Sequence, residues 1–180
     1  MVGRPPPKLA LSTLENAALH YLERFASSSA NLRRVMMRKA ERSLAHWGGE
    51  RAEAAALVDS VLAKLSRLGY LDDAAYARQK AAGLHRRGRS GRAIRAALAA
   101  KGVAGDHAEA ALGELAAEAG DGDRAAALNL ARRRRLGPFR KPEDRAAMRT
   151  RDLAALARAG FDFDTARQVI DASTVDSLEG

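Results

Sequence analysis

The chain has 180 residues, is 47% hydrophobic but only 4% aromatic, and contains 41 alanines. With Val, Ile and Thr together numbering 13, most β architectures are excluded, and an all-α fold with thin cores is expected. The chain lacks cysteine, which removes disulfide frameworks and thiolate sites, while 31 Lys and Arg against 22 Asp and Glu leave a formal charge of +9 that suits polyanionic partners.

Residues Met1 to Lys8 hold three prolines and no apolar run, so no secretory leader is expected there. Residues 1–11 are read as a mobile arm. The chain is free of proline between Lys8 and Gly137, which permits unbroken helices, and glycine and serine supply the breaks. Nine helices are expected, at 12–26, 29–47, 51–68, 72–86, 90–101, 105–119, 123–136, 142–159 and 163–173, with a mobile tail at 174–180. Ser27-Ser28-Ser29 reads as a helix start. In the helix that follows, Leu32, Met36, Ala40, Leu44 and Trp47 share one face. In the next, Leu57, Val58, Val61, Leu62, Leu65 and Leu68 do the same. Asp72, then Asp121 or Gly122, then Asp162 or Asp164 are placed to cap later helices, and Gly69, Gly102 and Gly160 suit the position just after a helix end.

Positions 62 residues apart match in character: Leu14 with Tyr76, Leu22 with Leu84, Arg24 with Arg86, Ser28 with Ser90, Leu32 with Ile94, Arg33 with Arg95, Met36 with Leu98 and Lys39 with Lys101. A weaker third copy sets Gly160 on Gly102 and Leu156 on Leu98. The repeat predicts an elongated array of three tandem three-helix, helix-turn-helix-like units, at 12–70, 71–120 and 121–173.

His20, His46, His85 and His107 show no metal-ligand spacing, and the chain contains no nucleophile elbow, phosphate loop or dinucleotide fingerprint. Asp72-Asp73 reads as a helix cap and first-turn residue rather than a metal pair, because adjacent helical positions diverge by about 100°. No catalytic residue, metal or cofactor is expected, and the protein is not read as an enzyme. The basic clusters are the candidate binding surface. They comprise Arg33, Arg34, Arg38 and Arg42 in the first unit, Arg86, Arg87, Arg89, Arg92, Arg95 and Lys101 in the second, and Arg132, Arg133, Arg134 and Arg135 in the third.

Ala17-Ala18-Leu19-His20-Tyr21-Leu22-Glu23-Arg24, followed by Ser27-Ser28 and Leu32-Arg33, resembles the opening of RecX regulatory proteins. So does Val61-Leu62-Ala63-Lys64-Leu65 running into Gly69-Tyr70-Leu71-Asp72-Asp73-Ala74-Ala75-Tyr76-Ala77, with Leu98-Ala99-Ala100-Lys101-Gly102-Val103 and Ala159-Gly160-Phe161 further on. The resemblance covers roughly 12–173. It implies a bacterial cytoplasmic modulator built of tandem three-helix units. Such a protein docks on the RecA recombinase filament and inhibits its ATPase, strand exchange and co-protease activities in DNA repair, recombination and the SOS response. A monomer that binds DNA weakly through phosphates and has no membrane partner completes the expectation. The competing reading is a helical, sequence-tolerant DNA-binding protein or transcription regulator. A base reader needs polar side chains aimed at base edges, and the second helices offer arginine but, apart from Asn31, almost no Asn or Gln.

Overall fold

A computed structural model describes residues 5–119 and 122–174 of the chain. Among them are nine α-helices and one 3-10 turn, and no strand. The helices are α1 (Leu11–Leu22), α2 (Ser29–Trp47), α3 (Arg51–Arg67), α4 (Asp73–Arg86), α5 (Gly91–Ala100), α6 (Gly105–Ala119), α7 (Gly122–Arg134), α8 (Pro142–Ala159) and α9 (Phe163–Ile170). The all-α expectation holds, and α2, α6 and α8 begin and end where the periodicity places them. Helix α1 stops at Leu22 rather than running to 26. Glu23 and Phe25 return their N–H groups to the carbonyls of Leu19 and Tyr21, and the chain then turns into the Ser28 cap of α2.

The caps follow from short polar side chains that satisfy the orphan N–H groups of a first turn. Ser28 Oγ accepts from Asn31 N at 3.2 Å, Asp72 Oδ1 from Ala75 N at 2.8 Å, and Asp162 Oδ1 from Thr165 N at 2.7 Å. The expected cap Asp121 lies outside the described residues, as do Met1–Arg4 of the N-terminal arm and the tail beyond Thr174.

The chain divides into two compact units: residues up to Tyr76 with Lys101–Ala104, and Ala77–Ala100 with the chain from Gly105 on. The first unit packs Leu14 and Ala18 of α1, Leu32, Met36 and Ala40 of α2, and Val58, Val61 and Leu65 of α3 into one core. Trp47, placed on the apolar face by periodicity, is instead half exposed. Its indole N–H donates to the Pro6 carbonyl at 2.8 Å, and the Ser43 hydroxyl donates to the Pro7 carbonyl at 2.9 Å. Pro6 and Pro7 thus lie against α2, with Leu9 packed against the core. In the second unit, Leu130 of α7, Leu156 of α8, Phe161, and Val169 and Ile170 of α9 assemble around a bed of alanines.

Each unit contains a comparable joint, built on the matched serines Ser28 and Ser90 and the matched glycines Gly102 and Gly160. In the first unit, buried Ser28 donates its hydroxyl to the Lys101 carbonyl, and the Ser29 N–H donates to Asp73 Oδ1 at 2.7 Å. In the second, the N–H of buried Ser90 donates to the Ala159 carbonyl at 3.3 Å, and the Gly91 N–H donates to Asp123 Oδ1 at 2.7 Å. Both joints are closed by a left-handed glycine. A Cβ on Gly102 would lie 2.5 Å from the Ala30 methyl, and one on Gly160 would overlap Ser90 Oγ and the Ala93 methyl. Only glycine combines the positive φ with that approach.

Candidate polyanion-binding clusters

Arg34, Arg38 and Arg42 recur every fourth residue on α2 and are all exposed, on the side away from Leu32, Met36 and Ala40. Their sequence neighbour Arg33 is engaged otherwise. Its guanidinium forks onto Asp59 of α3, Nε to Oδ1 at 2.6 Å and Nη2 to Oδ2 at 3.0 Å. The hydrogen bond from Arg33 holds the Asp59 carboxyl below its ordinary value and raises the arginine. Arg95, the repeat equivalent of Arg33, makes the same fork onto Glu109 of α6. The Glu109 carboxyl is lowered by that bond in turn. These two arginines of the expected binding set tie helix to helix, which leaves them little charge to offer a partner. Lys101 also has a structural part, because its carbonyl closes the first joint and its side chain is half-buried.

The second cluster sits where α4 turns into α5. Arg86, Arg87, Arg89 and Arg92 are exposed, and among the described residues no carboxylate pairs with them. The glycine in their midst explains the tight corner. Gly88 has φ 73°, and a Cβ there would meet Leu130 Cβ of α7 at 2.6 Å. The turn thus rests on α7, one helical turn before Arg133 and Arg134, which are exposed. The second cluster and the end of α7 belong to one compact unit, where Gly88 lies against Ala126 and Leu130, and the first cluster belongs to the other unit.

The third cluster ends α7. The Arg132 guanidinium lies over the Phe139 ring, 5.7 Å from its centroid. Arg135 adopts φ 54°, the only positive φ outside glycine among the described residues. The Leu136 N–H behind it returns to the Ala131 carbonyl at 2.9 Å, and Leu136 is buried. This is the left-handed helix ending that glycine ordinarily occupies, here filled by an arginine that stays exposed.

Arg140 follows that run in sequence but turns inward. Its guanidinium forks onto Asp152 at 2.7 Å twice, and Asp152 Oδ2 also accepts the Gly137 N–H at 2.9 Å. Burial pushes the Asp152 carboxyl up, but the Arg140 and Gly137 hydrogen bonds outweigh it and hold the group below its ordinary value. Arg145 donates to the Pro138 and Ser173 carbonyls, and Arg149 forks onto Asp171. The one advance sign of these clamps was an aspartate among the alanines of α8. Its partner lies twelve residues away through a turn, beyond any helical period.

The family model for the second three-helix domain of RecX matches residues 72–112. The regulatory protein RecX of Myxococcus xanthus (strain DK1622) is 47% identical over 169 residues, 93% of this chain and 89% of that protein. The regulatory protein RecX of Agrobacterium fabrum (strain C58 / ATCC 33970) is 32% identical over 172 residues, 96% of this chain and 89% of that protein. A crystal structure of regulatory protein RecX superposes with a TM-score of 0.59 at 20% identity, covering 90% of this chain and 72% of that one, a likeness of fold.

Proposed function

The chain belongs to the RecX family of regulatory proteins, and from that membership we propose that it binds the RecA recombinase filament and inhibits its ATPase, strand exchange and co-protease activities. The observation that carries the reading is identity of 47% along 93% of the chain to a regulatory RecX protein. The exposed arginines of α2, of the α4–α5 turn and of the α7 end support it. They are cations at several places along a chain of helical modules, proposed at 12–70, 71–120 and 121–173. Such modules can follow a regular polyanion with many weak contacts, so that attachment gains from effective concentration as much as from any one contact. Inhibition is steric and electrostatic: the bound modules bridge neighbouring protomers or compete for the DNA-facing groove. The protein acts as a cytoplasmic monomer without a cofactor and does not itself catalyse a reaction. No described helix is long and apolar enough to cross a membrane.

Co-sedimentation with RecA on single-stranded DNA and a non-hydrolysable ATP analogue, beside a steady-state ATPase assay, tests the reading. The expected result is pelleting with the filament and a falling ATPase rate. Binding to bare DNA should be weaker and lost steeply with salt, because neutralised phosphates release counterions. Tight, sequence-selective binding to bare DNA with no capture by the filament would replace the reading with that of a transcription regulator.

A further inference from the structure

We propose that the groove between the proline segment and helices α1 and α2 is a docking site for an acidic protein segment, which it holds through one bulky apolar side chain. The groove encloses about 610 Å³, inside the range of roughly 300–1,000 Å³ typical of built ligand sites. Pro7, Leu14 and Ala17 form apolar walls, and Lys39, Arg42 and His46 stand among them, with no carboxylate in the lining. Among the described residues neither Lys39 nor Arg42 is paired with a carboxylate. Elsewhere in the first unit Arg33, Arg51 and Lys64 are each met by an acidic side chain.

The outer wall is fixed before any ligand arrives. The Pro6 and Pro7 carbonyls are held by the Trp47 indole and the Ser43 hydroxyl, and proline has a locked φ. A wall already ordered loses little entropy on binding. The lining also distinguishes among polyanions. A phosphate backbone would meet the cations but leave the apolar walls in water. A nucleobase needs a flat aromatic face, and the lining contains no Phe, Tyr or Trp. A Leu or Phe side chain flanked by Asp or Glu satisfies walls and charge together. The site shares Arg42 with the α2 cluster of the filament reading, but its ligand is defined by its own chemistry and its binding can be measured without a recombinase.

The test uses the full chain and fluorescein-labelled short peptides of Asp and Glu with one central leucine, or with serine in its place. A single-stranded oligonucleotide of equal charge serves as competitor. By anisotropy the leucine peptide should bind about tenfold or more tighter than the serine peptide, the gain expected from burying one apolar side chain. It should also shift the emission of Trp47, the sole tryptophan, which is bonded to the groove wall. Thr13→Phe, which fills the groove from α1, should erase the leucine advantage. Lys39→Glu combined with Arg42→Glu, both at exposed positions that leave the core untouched, should weaken both peptides. Equal affinity for the leucine and serine peptides overturns the proposal, since a bare cationic surface would behave that way. So does displacement of the leucine peptide by an equal concentration of oligonucleotide, or a doubling of mass by light scattering that blocks the peptide, which would make a second copy the occupant.

Discussion

The two compact units meet the same shortage of side-chain volume by different means. The first fills its centre with long aliphatic groups, Leu14, Leu32, Met36, Val58, Val61 and Leu65, and leaves its ion pairs outside. The second surrounds Leu156, Phe161 and Val169 with Ala126, Ala127, Ala131, Ala155, Ala159 and Ala166, and places a carboxylate, Asp152, inside at 1% exposure. Alanine buries little apolar area, so the helices close on one another and the connection around Gly137–Phe139 has to be held by polar bonds. Asp152 does this by gathering the Gly137 N–H and the Arg140 fork. One unit thus rests on apolar burial and the other partly on charge, and the two should fail under different stresses.

The sharpest contrast is mutational. Leu32→Ala empties a fully buried site of the first unit and should cost about 2–5 kcal/mol. Asp152→Ala strands the Arg140 charge, itself about one-fifth exposed, and orphans the Gly137 N–H. Its cost should fall near the lower end of a broken buried pair, about 3 kcal/mol. Trp47 lies in the first unit and is the only tryptophan, so its emission follows that unit, while far-ultraviolet circular dichroism follows both. Leu32→Ala should move the tryptophan transition in denaturant. Asp152→Ala should move only the dichroism. If both variants shift both signals together, the contrast between the units is wrong and the chain unfolds as one.

Acid should separate the units next. Asp152, Asp162, Asp171 and Glu109 all belong to the second unit, and all are held below their ordinary values. Burial opposes the shift at Asp152, where the Arg140 and Gly137 bonds prevail. The Thr165 N–H lowers Asp162, and the Arg149 fork lowers Asp171. A carboxyl depressed in the folded state adds stability above its unfolded value and loses it as pH falls through the folded one. Below the ordinary Asp value of 3.8 the second unit should therefore weaken progressively. Among the described residues of the first unit only Asp59 is so held, and its side chain is half exposed. An acid titration in which dichroism falls while Trp47 emission stays constant is the expected outcome. Simultaneous loss of both would place the acid-sensitive group elsewhere.

What the sequence made legible follows the same division. Local signals gave the helices: Ser28, Asp72 and Asp162 cap where a short polar residue precedes an apolar stripe, and Gly102 and Gly160 end helices where a positive φ is needed. The repeat was visible too, but as character at matched positions and not as the joints built on them. Ser28 meets Lys101 across 73 residues, a separation that periodicity does not see. The inward turn of Arg140 and the pairing of Arg33 and Arg95 were hidden for a related reason. Charge runs report how many cations a segment holds, and their partners lie on other helices. The basic surface was therefore legible in number and only partly in membership.

The two joints offer a finer comparison. Asp73→Ala and Asp123→Ala each remove the acceptor of one backbone N–H held at 2.7 Å. Each should cost about 1–2 kcal/mol, as for a part-buried donor left unmade. The neighbouring Asp72→Ala, which removes only a cap, should cost about 0.5–2 kcal/mol and leave filament binding intact. Chemical denaturation of the three variants, with filament co-sedimentation for Asp72→Ala, checks the set. Unequal costs at Asp73 and Asp123 would mean that the matched geometry of the joints conceals different packing.

The smallest expected effect is the one that separates folding from binding. Arg135 holds a left-handed backbone at the end of α7 that costs a non-glycine residue about 1 kcal/mol. The adjoining Leu136 N–H already closes the helix, so the side chain at 135 is not needed for the ending itself. Arg135→Gly should therefore raise the stability of the second unit by roughly 0.5–1 kcal/mol, less the greater freedom glycine gains when unfolded. It should at the same time remove one exposed cation beside Arg133 and Arg134 and weaken polyanion binding slightly, with a shallower salt dependence. Opposite signs in the two measurements would mark Arg135 as retained for its charge at the expense of the fold. A variant that is both more stable and undiminished in binding across a salt series would remove the α7 end from the contact surface, leaving the α4–α5 turn to carry the charge of that unit.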